Sequence, residues 1–218
     1  MPTPERLLPF KDLHAGERCF VLASGPSLAR IPRDLLSRLA DEKTFVLSST
    51  SKWDGLPFEP TYYFGQEIQY WATFNQMLNE LGWTCPRFHA DRFVPELPEP
   101  WIIIKVGEGK LQYGDFSGLD GELEDLAARG GSATLLVAQL ACYMGFRTIY
   151  LLGCDVSDGY VWDPTLKRDA YSKYQFYVCS SLVAQLLAQH GRQLIDLTED
   201  GGLDLPKGSL AEVLGAVH

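Results

Sequence analysis

The chain has 218 residues, of which 46% are hydrophobic, and it carries a formal net charge of −9. That length supports one substantial core, and no apolar run approaches membrane-span length. The acidic balance argues against broad binding to nucleic acid or to an anionic membrane, which both need a basic footprint, but a nucleotide phosphate needs only a local nest of N–H donors and one cation.

The lead Met1-Pro-Thr-Pro-Glu-Arg6 lacks the basic region and uninterrupted apolar core of a secretory signal, so a cytoplasmic location is expected. Cys19, Cys85, Cys142, Cys154 and Cys179 are odd in number, widely spaced and without a zinc pattern, as reduced thiols of a cytoplasmic protein would be. A first strand is predicted over 19–23. It ends in Ser24-Gly25-Pro26-Ser27, where Gly25 lets a ligand approach the backbone, Pro26 fixes one dihedral and Ser27 offers a hydroxyl and a free N–H at a helix start. Phosphate suits such a corner, because unpaired N–H groups and the positive end of a helix favour anions. A capped turn without a ligand is the plain alternative.

A short helix follows over 31–39, with Pro32 in its first turn, and then a strand over 44–47 that runs into the hydroxyl cluster Ser48-Ser-Thr-Ser51. A strand over 61–64 gives way to a helix over 68–81, whose Trp71, Phe74, Met77, Leu78 and Leu81 keep helical spacing and read as core. Strands are predicted over 87–89 and 101–106, joined by a connection holding Pro95, Pro98 and Pro100. The glycine-rich stretch 107–121 reads as a mobile loop of the kind that covers a site.

Gly130-Gly131-Ser132 opens the next unit: Ser132 caps a helix through Met144, Gly145 ends it, and an apolar strand over 147–152 follows. After Gly153-Cys-Asp155 comes a polar, aromatic excursion over 156–169, then a long helix over 171–189 stopped at Gly191, and a strand over 193–196. Alternating helices and apolar strands predict an α/β fold: a Rossmann-like, doubly wound, mainly parallel sheet with helices on both faces, in a single domain over 1–218. Such sheets bind ligands beyond the C-terminal strand ends, which is where 24–27, 48–51, 65–67 and Asp155 fall.

The 19–28 run with its Ser-Gly-Pro-Ser turn, Gly130-Gly-Ser132 leading through Tyr143-Met-Gly-Phe-Arg-Thr-Ile-Tyr-Leu-Leu-Gly-Cys-Asp155, and the terminal strand before Gly201-Gly-Leu203 together resemble one superfamily. It contains the archaeal 6-hydroxymethylpterin diphosphokinase-like proteins, a domain of unknown function for most members, and the bacterial sialyltransferases of glycosyltransferase family 42. The sialyltransferase branch implies a CMP-sugar-like donor as substrate and a metal-free reaction with no required cofactor. By position, Ser24, Gly25, Pro26 and Ser27 would hold the nucleotide, Ser48 would face the cytidine or ribose, and Gly131 with Ser132 would meet its other side. Tyr160, in Gly159-Tyr-Val-Trp-Asp163, resembles a tyrosine that hydrogen-bonds the departing phosphate.

The sequence departs from that branch at several positions. Ser24 and Ser48 stand where the family has asparagines, Val156 or Ser157 where it has a second phosphate-binding tyrosine, and Tyr171 of Tyr171-Ser-Lys173 where it has a catalytic histidine. A phenol with a reference pKa near ~10 is a poor base at neutral pH. The acceptor base is thus unassigned, with Asp155, His89 and Asp158 as candidates; His89 reads first as a partly buried structural histidine and only second as a base oriented by Asp91. His190 is expected at a helix C-terminus, and Arg147 and Lys105 read equally as phosphate cations or as solvated strand-end charges. The diphosphokinase branch implies ATP with Mg2+, for which Asp155, Asp158 and Asp163 are candidate ligands, Asp155 first; a strand-end aspartate reads equally as a cap or a ribose ligand. A nucleotide-binding protein without catalysis is the third reading. Across these readings the partners are a nucleotide or nucleotide sugar and a small-molecule or glycan acceptor, with self-association left open.

Overall fold

The computed structural model describes residues 7–66, 71–91, 101–105 and 132–215. Seven strands form one sheet: β1 (Arg18–Leu22), β2 (Thr44–Leu47), β3 (Tyr62–Gly65), β4 (Arg87–Asp91), β5 (Trp101–Lys105), β6 (Thr148–Leu152) and β7 (Gln193–Asp196). Their spatial order is β5-β4-β3-β2-β1-β6-β7, and every pairing is parallel. The chain steps outward from β1 to β5, then returns to lay β6 on the free side of β1. Strand order therefore reverses between β1 and β6, which creates a crevice at their C-terminal ends.

A strand buried on both faces is apolar at every position, which is why 19–22 shows no polar alternation. Cys19 and Val21 point to one face, where they pack with Phe45, Phe64, Ile149 and Leu151 beneath α3 (Ala133–Tyr143) and α4 (Ala170–Gln189). Phe20 and Leu22 point to the other, where Leu28, Leu36, Leu39, Leu210 and Leu214 cover them. Farther along that second face, Phe74 and Leu78 of α2 (Trp71–Glu80) pack on Tyr63 and Trp101. Arg87 is buried there, and its two terminal nitrogens donate to Asn75 Oδ1 at 2.8 Å, Asn79 Oδ1 at 3.1 Å and the Trp83 carbonyl at 2.7 Å.

The expected single helix over 31–39 is two short pieces, α1 at Arg33–Ser37 and a 3-10 turn at Arg38–Asp41, and a separate 3-10 turn at Pro26–Arg30 precedes them. Pro32 is the cause. A residue before proline is driven out of the helical region, and Ile31 is extended at φ −67°, ψ 126°. Ser132 does occupy the N-cap of α3, but its side chain makes no capping bond, and its carbonyl takes the Leu135 N–H at 3.1 Å. The cap of α4 is Asp169, which accepts from the Ser172 N–H at 2.8 Å. Gly145 ends α3 at φ 93°, a left-handed conformation that other residues adopt only with strain.

A C-terminal helix, α5 (Leu210–Gly215), was not expected from the sequence. Its late carbonyls are satisfied by arginines: Arg18 donates to the Val213 carbonyl at 3.1 Å and Arg38 to that of Leu214 at 2.5 Å. Among the described residues, no helix is long and apolar enough to cross a membrane. Gly131, the 107–121 stretch, the connection through Pro95, Pro98 and Pro100, residue 67 and His218 lie outside the described residues, as do the side chains of Asp91, Lys105 and Tyr171.

Candidate functional site

Continuing the strand registers past their ends shows what the crevice holds. Leu22 pairs with Val46 on one side and Leu152 on the other, so Ser24 comes beside Ser48 and Gly25 beside Asp155. The turn is tied down accordingly. The Ala23 N–H donates to the Leu152 carbonyl at 2.8 Å, and the Gly25 N–H donates to the Gly153 carbonyl at 2.8 Å. Ser27 Oγ donates to Asp155 Oδ2 at 2.5 Å, and the Ser27 N–H lies 3.3 Å from the same oxygen.

These contacts correct two expectations. The Ser27 hydroxyl and N–H are not free, because the chain's own Asp155 carboxylate occupies the nest they form. A Cβ on Gly25 would overlap Asp155 Oδ2 and come within 2.5 Å of the Gly153 carbonyl oxygen, so Gly25 makes room for Asp155. The helix start is also weaker than expected, since the 3-10 turn Pro26–Arg30 is only five residues long and adds little dipole. Ser27 and Asp155 are 4% and 7% exposed, so the pair is a buried hydrogen bond to charge.

The polar excursion folds as a strap across this turn. The Val161 N–H donates to the Ser24 carbonyl at 2.7 Å, which joins the strap to the glycine turn directly. Within the strap, Gly159 and Tyr160 donate to the carbonyls of Leu166 and Asp163 at 2.8 and 2.9 Å. Arg168 Nη1 donates to the Asp155 carbonyl at 2.9 Å, and the Arg168 N–H donates to Asp158 Oδ1 at 3.0 Å. The Lys173 ammonium meets Asp158 Oδ1 at 2.6 Å, and that hydrogen bond together with the Arg168 N–H holds the Asp158 carboxyl below its usual range. Asp163 is likewise lowered, by the Thr165 hydroxyl and N–H.

Tyr160 stacks on Trp162 with ring centroids 5.2 Å apart and planes 20° from parallel. The Arg168 guanidinium lies over the outer face of this pair, 5.6 Å from the Tyr160 centroid, and the Lys52 ammonium lies 4.7 Å from that of Trp162. Two aromatic rings are thus held between two cations. The Tyr160 hydroxyl makes no hydrogen bond to a described residue. Lys52 comes from the turn after β2, where Thr50 Oγ1 donates to the Leu22 carbonyl at 3.0 Å and so binds that turn to β1. Neither cation stood out in the sequence, because nothing local marks a lysine or arginine as stacked.

Ser24, Gly25, Pro26, Ser27, Ser48, Asp155 and Tyr160 therefore gather at the β1–β6 crevice and its β2 flank. Ser132 stands at the same edge, since α3 runs back from the C-terminal strand ends to feed β6. Other candidates do not join them. His89 is 1% exposed, its ring edge-on to Trp101 at 6.0 Å, and β4 is three strands from β1, about 14 Å away at ordinary strand spacing. Arg147 precedes β6 at the opposite sheet edge, so it cannot serve the crevice. Asp155, Asp158 and Asp163 turn to Ser27, Lys173 and Thr165 respectively, and among the described residues no group of three acids, histidines or cysteines could hold a metal ion. Cys154 is buried, which raises its thiol well above the ordinary value, as do the Asp196 and Asp155 carboxylates, so it is no nucleophile at neutral pH. His14, at the sheet's far edge, is structural: Nε2 meets the Tyr62 hydroxyl at 2.6 Å and its ring stacks on Phe146 at 4.4 Å.

On the far side of the Ser27 turn, toward α1 and α5, lies a cavity of about 310 Å³ that Ser27, Arg30, Leu35, Gly153, Thr198 and Ser209 help to line. Arg30 at its rim is paired with Glu199 at 3.6 Å.

No protein-family model matches the sequence, nor does any curated protein. Solved structures do resemble it in fold. The MAf glycosyltransferase from Magnetospirillum magneticum AMB-1 is similar at a TM-score of 0.61 and 12% identity, over 99% of this chain and 38% of that one, so this chain spans well under half of that protein. The sialyltransferase CstII from Campylobacter jejuni, solved with the substrate analogue cytidine-5'-monophosphate, is similar at 0.58 and 16% identity, over 88% of this chain and 85% of that one. A second structure of CST-II, with a trisaccharide acceptor and CMP, gives 0.53 and 15% identity over 83% and 81% of the two chains. The seven-stranded Rossmann-like sheet is thus a fold shared with glycosyltransferases.

Proposed function

We propose that the protein is a nucleotide-sugar-dependent glycosyltransferase of the sialyltransferase kind, with its donor lying across the β1–β6 crevice. The observation that carries this reading is the hydrogen bond from Val161 to Ser24, which sets Tyr160 beside the Ser-Gly-Pro-Ser turn although the two segments are far apart in sequence. The fold shared with glycosyltransferases supports it, as does the CMP bound in a sialyltransferase of that fold.

Transfer from such a donor breaks the bond between the sugar carbon and a phosphate oxygen, so negative charge grows on the phosphate. A fixed donor aimed at that oxygen lowers the barrier, and the Tyr160 phenol, held by its stack on Trp162 and with no hydroxyl partner among the described residues, is suited to that role. Ser48 and Ser132 stand where base or ribose hydroxyls would meet them. Asp155 offers a second carboxylate oxygen to a ribose hydroxyl or, as base, to the acceptor hydroxyl. Positioning by a rigid sheet edge supplies the rest.

A nucleotide-binding role without turnover is the second reading, favoured by one fact: Asp155 Oδ2 already accepts two hydrogen bonds from Ser27, which takes up one of the two oxygens a base would use. Thermal denaturation with a panel of nucleotides and nucleotide sugars, in chelator, tests the donor site itself. Ligand at a hundred times its dissociation constant adds about 2.7 kcal/mol to native stability, so CMP or its sugar conjugates raise Tm by several degrees. No shift from any nucleotide at millimolar concentration would refute the reading.

A further inference from the structure

With Asp155 seated in it, the glycine turn has little left to offer a phosphate. The Gly25 N–H goes to the Gly153 carbonyl, Pro26 has no N–H, and the Ser27 N–H and hydroxyl go to Asp155. The Asp155 carboxylate also adds negative charge to the crevice, and among the described residues it has no ion-pair partner. A phosphate placed here needs a cation within reach, in a chain whose net charge is −9.

The cations around the crevice are mostly committed. Lys173 is held by Asp158 at 2.6 Å, Lys207 by Asp196 at 2.5 Å, Arg30 faces Glu199 at 3.6 Å, and Lys52 sits over the rings of Trp162 and Phe74. Arg168 differs. Its guanidinium reaches the crevice floor, where Nη1 donates to the Asp155 carbonyl at 2.9 Å. Its Cζ lies over the Tyr160 ring, 5.6 Å from the centroid, and its backbone is anchored through Asp158 at 3.0 Å. Nε and Nη2 have no partner among the described residues, and the side chain is only half-buried, so a ligand can reach them. A planar fork tied at one nitrogen, with donors to spare near a phenol whose hydroxyl has no partner among the described residues, is the geometry that takes a phosphoryl group.

The geometry points to Arg168 as the cation that binds the phosphoryl group of the nucleotide, closing with the Tyr160 hydroxyl on the same oxygens. The assignment rests on the nucleotide reading above, and it relocates the phosphate from the glycine turn to the strap. Gly25 and Ser27 then hold Asp155 in place, while Arg168 offsets the charge that Asp155 and phosphate bring together. The sequence signal was slight: Lys167-Arg168 reads as an ordinary solvated pair at the end of a loop.

Calorimetric titration of CMP and of cytidine, which differ only by the phosphate, separates the two claims. The wild type binds CMP more tightly than cytidine. In Arg168→Gln that gap shrinks by roughly ten- to a hundredfold, the worth of a charge-assisted hydrogen bond, while cytidine affinity stays as it was. Arg168→Lys, which keeps the charge but not the fork, recovers part of the gap. A Gln variant that keeps the full preference overturns the assignment and leaves the nucleotide reading standing. One that loses cytidine equally makes Arg168 a brace for the strap and overturns it too. A wild type that binds neither compound removes the nucleotide reading and this assignment with it.

Discussion

Gly25 is hemmed in by the carboxylate of Asp155 and by the Gly153 carbonyl, with 2.5 Å to the latter from where a Cβ would sit. A methyl group there must push the turn off β6. Gly25→Ala is therefore expected to cost about 1–3 kcal/mol in urea denaturation, the usual range for overpacking. Adding Asp155→Ala should return only part of it, since the carbonyl conflict remains; an unchanged midpoint for the single variant would mean that the turn is looser than this contact implies. The turn itself was legible in the sequence because Ser-Gly-Pro-Ser after an apolar strand has few uses. Its partner was not. Ser27 and Asp155 are 128 positions apart, and only the register of β1 on β6 brings them together. The same blindness applies to the Lys52, Trp162, Tyr160 and Arg168 stack, whose members come from two connections with no shared spacing.

The strap behaves as an element although it contains no helix or strand. Asp158 anchors it, taking the Lys173 ammonium and the Arg168 N–H, and both favour the charged carboxylate. Because this lowers the native value, the contribution is complete above the unfolded value of about 4 and is lost as pH falls through the depressed one. NMR titration should find the Asp158 carboxyl carbon and the Arg168 amide shifting together with a midpoint below 3.8, the ordinary aspartate value, and the amide transition should vanish in Asp158→Asn. A midpoint at or above that value would show the anchor to be open in solution. Regular elements were easier to foresee than this strap. The apolar runs of β1, β2 and β6 and the Gly145 and Gly191 stops mark themselves, whereas α5 is too short to show a period and depends on Arg18 and Arg38 for its carbonyls.

At the scale of the molecule, topology makes the site. An order that runs outward from β1 and then returns to its other side leaves a gap at the strand ends, and the connections after β1, β2 and β6 all discharge there. Alternation of strands and helices let the sequence announce a parallel sheet, but not which strand would lie beside β1. That single adjacency decides that Asp155 and Tyr160 belong to the crevice while His89, on β4, does not. The central claim is that this crevice turns over a nucleotide sugar, and release of CMP from CMP-sialic acid in excess chelator tests it most directly. The account predicts release by the wild type, with kcat lowered about 10²–10³-fold in Tyr160→Phe if the phenol acts as a full oxyanion donor, since the ring and its stack are kept. Absence of release, or an equal rate in the phenylalanine variant, would contradict it.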